Sequence, residues 1–341
     1  MITISLCMIV KNEEHTLPHC LQSIGDLVDE IIIVDTGSTD QTIQIAKKWT
    51  SHVYEIPWAF HFSQARNASF QYASKDYIMW LDADDILQPS AQKKLQQLKQ
   101  SLDPTIEAVS MKYNIQTKVG IEQTQRIRLV KREAGFQWEG IVHEDLQRKE
   151  PYTHFPSDIV ITHTKTTQTS PQRNIELYQR AIEQEHIFSL QDHFHYAREN
   201  LFQKDYRIAE QHFHMCLAFE ELSQESRMTV YHQLATCYGL TNQIEKEQEI
   251  TLQALSLDMP YPPFSCRMGE HFLRQGNIEA AIFWYTTAYQ QKPSLRYAWM
   301  LNQTAFYTWV PHQQLAHCYE QLGDHKKAKR HQQKAKQFQQ K

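Results

Sequence analysis

Tyr77-Ile78-Met79-Trp80-Leu81-Asp82-Ala83-Asp84-Asp85 passes from a run of five apolar residues straight into three carboxylates. A short apolar run of this kind, rich in aromatic and branched side chains, predicts a buried strand that stops where the acids begin. Acids at a strand's exit stay solvated at little cost, and in Asp-x-Asp spacing they suit a hard divalent cation set against a diphosphate. The competing reading makes them a turn whose acids cap a helix starting near Pro89.

Working outward, the first half alternates strand and helix patterns. Strands are expected at Ile2–Val10, Glu30–Val34 and Tyr77–Leu81, and helices at Leu17–Ile24, Thr39–Trp49 and Phe62–Ala73. Such alternation predicts an α/β domain with a mostly parallel sheet, which binds ligands beyond the carboxyl ends of its strands. Two further segments, Val10-Lys11-Asn12-Glu13-Glu14 and Val34-Asp35-Thr36-Gly37-Ser38, would end at that same edge.

From about Arg173 the period becomes helical and repeats. Segments starting at Ala197, Ala235, Gly269 and Ala316 each reach a polar or glycine turn seven positions on, and Ala209, Glu247, Ala281 and Ala328 stand twelve positions on. Small residues at fixed offsets let antiparallel helices approach closely, and stacked copies build a solenoid. Glu247 breaks the alanine pattern, and Tyr297–Val310 reads as an insertion. The division expected is 1–168 for the α/β domain and 169–341 for an all-α repeat domain.

Composition narrows the class. The chain has 341 residues, 41% hydrophobic, with a formal net charge of -4. That charge offers no cationic field for nucleic acid, and no stretch approaches the ~20 apolar residues that span a bilayer. With no charged leader before the first strand, a cytoplasmic protein is expected. Six scattered cysteines without C-x-x-C spacing read as buried free thiols.

Taken together, Met8-Ile-Val-Lys-Asn-Glu-Glu14, Ile33-Val-Asp-Thr-Gly-Ser-Thr-Asp40, Phe62-Ser-Gln-Ala-Arg-Asn67 and Leu81-Asp-Ala-Asp-Asp85 resemble glycosyltransferase family 2, over about residues 1 to 165. Downstream, Trp138-Glu-Gly-Ile-Val-His-Glu144, His163 and Arg173-Asn174-Ile175, followed by repeats of tetratricopeptide type, are similar to the subgroup that includes the sublancin-type peptide S-glycosyltransferases. The resemblance implies a GT-A nucleotide-sugar-binding fold, a UDP-sugar donor, Mg²⁺ or Mn²⁺, inversion at the anomeric carbon, and a peptide or protein acceptor. It places Val10, Asn12, Glu13, Asp35, Arg66, Asp82, Ala83 and Trp138 at the nucleotide sugar, and Asp84 and His163 on the metal. Glu144 would be the general base, with Asp145 as its rival. Thr36 stands where the family often has a second aspartate.

A carboxylate that takes the acceptor's proton as the leaving group departs from the opposite face is also what inverting transfer demands chemically. Two alternatives stay open: the same chemistry on a cell-envelope glycan or lipid-linked saccharide, and a catalytically silent scaffold that binds nucleotide in front and a partner behind. A homodimer through the repeats is the oligomer expected.

Overall fold

The structure, a computed structural model, describes residues 1–117, 120–164, 171–220, 222–291 and 304–339. It divides into two compact units, Met1–Ile187 and Phe188–Lys341.

In the front unit the strands are β1 (Ile4–Val10), β2 (Glu30–Asp35), β3 (Val53–Glu55), β4 (Tyr77–Trp80), β5 (Asp85–Leu87), β6 (Ala108–Thr117), β7 (Gly120–Lys131), β8 (Gln137–Glu139), β9 (Asp145–Gln147) and β10 (His154–His163). Eight form one sheet in the order β3-β2-β1-β4-β7-β6-β10-β5, and β8 and β9 form a separate hairpin. The pairs β1–β2, β1–β4, β2–β3 and β6–β10 are parallel, and β4–β7, β6–β7 and β5–β10 are antiparallel. The mostly parallel α/β sheet expected is therefore present, with an antiparallel β6–β7 hairpin set into it.

Alternation along β1 sorts its side chains to two faces. Ile4, Leu6, Met8 and Val10 join α1 (Leu17–Ile24) and α4 (Pro89–Ser101) in one core, while Cys7 packs with Ile78, Trp80 and Trp138 in another. α3 (Phe62–Gln71) buries Ala65, Arg66 and Ser69. The regular part of α2, Thr42–Ala46, is shorter than the helix expected from Thr39 to Trp49. Asp40 accounts for the late start, because its carboxylate accepts from Thr42 N at 2.9 Å and Thr42 Oγ1 at 2.5 Å. At the far end Lys48 N and Trp49 N donate three residues back, to Ile45 O and Ala46 O, in a tightened last turn.

Helix α5 (Pro171–Glu183) was expected in the rear domain, yet it is counted within the front unit. Ile175, Leu177 and Tyr178 are buried, and the Tyr178 hydroxyl donates to Val142 O at 3.1 Å. The expected boundary at 168 lies outside the described residues.

The rear unit consists of helix hairpins: α6–α7 (Leu190–Phe202, Tyr206–Leu217), α8–α9 (Gln224–Leu240, Ile244–Leu257), α10–α11 (Pro262–Arg274, Ile278–Gln290) and α12–α13 (Trp309–Gln321, His325–Gln339). All four turns pass through the left-handed region at the equivalent residue: Lys204 at φ 66°, Asn242 at 56°, Gly276 at 75° and Gly323 at 73°. A shared backbone reversal at a shared offset is what makes these hairpins repeats. Gly269 is required by packing, since a Cβ there would come within 2.8 Å of the Tyr285 ring. Glu247, the exception to the alanine pattern, reaches across the turn to Arg267 Nη1 at 2.5 Å and occupies the space that Gly239 leaves open. Of the expected insertion at Tyr297–Val310, residues 297–303 lie outside the described residues. All six cysteines are free and buried, as expected.

The first and last hairpins share a second device. His193 and His212 meet Nδ1 to Nδ1 at 2.9 Å, and His312 and His331, at the corresponding positions, meet at 3.0 Å. One ring donates and the other accepts, so the bond needs an unprotonated nitrogen. Burial, reinforced by the partner histidine, pushes His212 and His312 down to about 4. Unfolded histidine titrates near 6.5, so between those values the unfolded chain binds more protons and acid favours unfolding. The melting temperature of the helical unit should fall by roughly 5 °C between pH 7.5 and pH 5. Circular dichroism melts of the whole chain at the two pH values check this, and phenylalanine at His212 should flatten the dependence.

Candidate active site

β1, β2 and β4 end side by side, with Val10 in register with Asp35 and Cys7 with Trp80. Their carboxyl ends open on a cavity of about 820 Å³, lined among others by Asn12, Glu13, Arg66, Asp82, Asp84 and His163. Val10 and Ala83 also line it. Asp35, Trp138 and Glu144 are not lining residues, but Asp35 adjoins the lining Thr36, and Trp138 and Glu144 touch Arg66.

The loops after β1 and β2 are laced together. Asn12, at φ 55°, donates its backbone N–H to Ser38 Oγ at 2.9 Å and accepts from Thr39 N on its side-chain oxygen at 2.8 Å. Glu13 N donates to Thr42 Oγ1 at 2.7 Å. Asp35 accepts from Gly37 N and Ser38 N on Oδ1, both at 2.8 Å, whereas its buried Oδ2 has no partner among the described residues. A buried acceptor left unpaired calls for a donor from outside the chain.

The acids after β4 do not cap α4, whose N-cap is Gln88 with no side-chain bond. They form a tight turn in which Asp85 N donates to Asp82 O at 3.0 Å and Asp82 N to Asp85 Oδ2 at 3.2 Å. β5 then pairs with β10, setting Asp85 opposite His163, while Thr164 N holds Asp84 O at 2.9 Å. His163 Nδ1 consequently lies 3.4 Å from Asp84 Oδ1 and 3.5 Å from Asp85 Oδ1. Among the described residues, these three are the group whose donor atoms could share one metal ion.

The three differ in availability. Asp85 is fully buried, paired to the equally buried Arg128 at 3.0 Å, and accepts from the Tyr113 hydroxyl at 3.0 Å. Asp84 and His163 face the cavity. Two hard oxygens and an imidazole are a donor set that suits Mg²⁺ or Mn²⁺, so the residues fit the ion implied by the sequence. The same acids draw a proton onto the imidazole, and bonding to Asp84 and then Asp85 pushes His163 up to about 10.

Arg66 joins two elements across the site. Its Nη2 donates to Asp82 Oδ1 and its Nε to Glu144 Oε1, both at 2.7 Å. The guanidinium is buried against Trp80 and Trp138, whose ring centres lie 4.9 and 4.8 Å from Cζ. Asn67 fixes the neighbouring hairpin, accepting from Trp138 N at 2.8 Å and donating to Trp138 O at 2.9 Å. Burial works against charge here, but Arg66, then Arg128, hold Asp82 down at about 2. Asp145 is in β9, opposite Glu139, and its Oδ1 accepts from Leu146 N at 2.9 Å.

Sequence reasoning missed two parts of this site. One is the loop bearing Trp58 and Phe60, together with Arg180 of α5, which also line the cavity. The other is Arg128, whose signal was a lone cation within the apolar run Ile127-Arg128-Leu129-Val130.

Known proteins resemble this chain in two separate regions. Residues 5–159 match the model of glycosyl transferase family 2, and residues 312–341 match the tetratricopeptide repeat. The SPbeta prophage-derived glycosyltransferase SunS of Bacillus subtilis is 32% identical over 147 residues, 42% of this chain and 34% of SunS. A TPR repeat-containing protein of Synechococcus elongatus is 47% identical over 87 residues, 26% of this chain and 22% of that protein. The chain thus spans about a third or less of these curated relatives. Among solved structures, glucosyl-3-phosphoglycerate synthase of Mycobacterium tuberculosis with Mg²⁺ and UDP is 28% identical, covering 33% of this chain and 44% of that one, at a TM-score of 0.29. No described helix is long and apolar enough to cross a membrane. Residues 5–159 of the front unit thus carry the match to glycosyl transferase family 2, and residues 312–341, later in the sequence, the match to the tetratricopeptide repeat.

Proposed function

We propose that the front unit transfers a hexose from a UDP-sugar to a peptide or protein acceptor, with inversion and with Mg²⁺ or Mn²⁺ held by Asp84 and His163. The observation that carries this reading is the convergence of Asn12, Glu13, Asp82, Asp84 and His163 on one cavity at the carboxyl ends of parallel strands. When bound, the ion would neutralise the diphosphate leaving group.

The chain's own residues do the rest. Asp35 Oδ2 accepts from uracil or ribose, and Asp82 faces the ribose. Glu144 uses Oε1 on Arg66, which leaves Oε2 to take the proton of the attacking acceptor. Asp145 is the weaker candidate, because its oxygen is turned to its own strand. The peptide acceptor rests on the resemblance to the sublancin-type enzymes and on the repeats, whose stacked surfaces suit extended chains.

Release of UDP from UDP-glucose, measured with Mn²⁺ and a panel of peptides, tests the reading. The Asp84→Ala protein should remain folded and lose turnover by about 10²-fold or more. Full turnover in that folded variant would refute the assignment, and transfer to a saccharide alone would move the acceptor class.

A further inference from the structure

Helix α5 presents Arg173, Glu176 and Arg180 to the cavity, and among the described residues neither arginine is ion-paired to an acid. Arg173 and Arg180, two turns apart on one helical face, both line the cavity. Among the described residues neither has an ion pair; each is stacked instead, Arg173 on Phe62 at 5.0 Å and Arg180 on Phe60 at 4.0 Å. Phe60 itself sits at φ 59°, a conformation that is unfavourable for a bulky residue and persists where its surroundings enforce it. Trp58 packs edge-on against Phe60 and Phe62, at 6.3 and 4.9 Å between centres, so ring and cation contacts fix this wall.

Stacking occupies the flat face of a guanidinium and leaves its in-plane N–H donors at the edge, where they can grip a carboxylate or phosphate bidentately. Partial burial holds Arg173 below the ordinary guanidinium value, opposed by the field of Glu144. Arg173 is exposed at the cavity wall, and a cation with no ion pair among the described residues, within the field of the proposed base, is placed to orient an incoming anion rather than to stabilise the fold.

We infer that Arg173 and Arg180, backed by Phe62 and Phe60, form an anion subsite that binds a carboxylate or phosphate on the acceptor. The inference rests on the transferase reading. The same chemistry could serve the donor's diphosphate, so the experiment separates the two sources.

Calorimetry on the whole chain would use four probes: UDP with Mn²⁺, then, in the presence of both, a glutamate–serine peptide, a phosphoserine peptide, and a lysine–serine peptide of equal length. The wild type should bind one or both anionic peptides and not the lysine peptide. Arg173→Gln/Arg180→Gln should weaken the anionic peptide by about tenfold or more, with UDP affinity within about twofold. Arg173→Glu/Arg180→Glu should reverse the preference towards lysine. Loss of UDP affinity with peptide binding intact would assign the arginines to the donor and overturn the acceptor subsite. Equal binding of all peptides, or of none, would overturn it as well. Failure of the wild type to bind UDP would instead count against the transferase reading, and the peptide titrations would still report on the subsite.

Discussion

Glutamine in place of Glu144 should lower sugar transfer on the order of 10³-fold while UDP binds as before. The substitution keeps the shape of the side chain and an oxygen for Arg66, which Asp82 still pairs, and removes the carboxylate's charge and with it the capacity to accept a proton. Glu144 contacts neither Asp84 nor His163 in the described network, and meets Asp82 only through Arg66. The donor's binding groups should therefore be undisturbed. Initial rates of UDP release with acceptor, set beside a UDP titration of the same variant, separate the two effects. Unchanged turnover would transfer the base role to Asp145, whose carboxyl partial burial pushes above its ordinary range.

The largest loss of stability should follow from Arg128→Met. Arg128 and Asp85 are both fully buried, with one ion pair between them at 3.0 Å. Trp80 and Tyr113 cover the guanidinium at 3.6 and 4.5 Å, and its Nε and Nη2 have no hydrogen-bond partner among the described residues. Removing the cation strands a carboxylate in the core, which costs about 3–5 kcal/mol. The front unit's melting temperature should then drop by about 10 °C. Asp85→Asn in the same chain should recover much of this, since the stranded charge is gone. A drop no larger than 1–2 °C would mean that ring stacking rather than the pair secures Arg128. The pair also stiffens the turn that presents Asp84, because Asp85 Oδ2 accepts from Asp82 N as well as from Arg128.

The parallel half of the sheet was legible because β1, β2 and β4 are continuous apolar runs whose ends are marked by polar loops. α1 was legible to the residue, since Pro18 stands at its start and its apolar residues follow a helical period. The β6–β7 hairpin was not. Its strands mix lysine, glutamine and arginine with the apolar residues, as expected where one face is only partly covered. α5 was misplaced for a related reason: its period is that of a repeat helix, and only tertiary contacts such as Tyr178 to Val142 show which unit it packs on.

Within the site, the motif acids could be read because their spacing is local. His163 was reachable only through the family resemblance, since its approach to Asp84 depends on β5 pairing with β10 across 78 residues of chain from Asp85. Trp58, Phe60 and Arg180 carried no signal, for each is an ordinary aromatic or cation until the chain brings them to one wall. Repeat turns were visible as polar or glycine pairs, but the left-handed backbone of Lys204 and Asn242 was not, because neither residue demands it.

The claim on which the account depends is that Asp84 and His163 hold a divalent cation against the diphosphate of a bound nucleotide. Titration of UDP into the chelator-treated protein, with and without Mn²⁺, tests it most directly. Mn²⁺ should tighten UDP binding by about tenfold or more, and Asp84→Ala should abolish the difference. Equal affinity for UDP in Mn²⁺ and in chelator would contradict it.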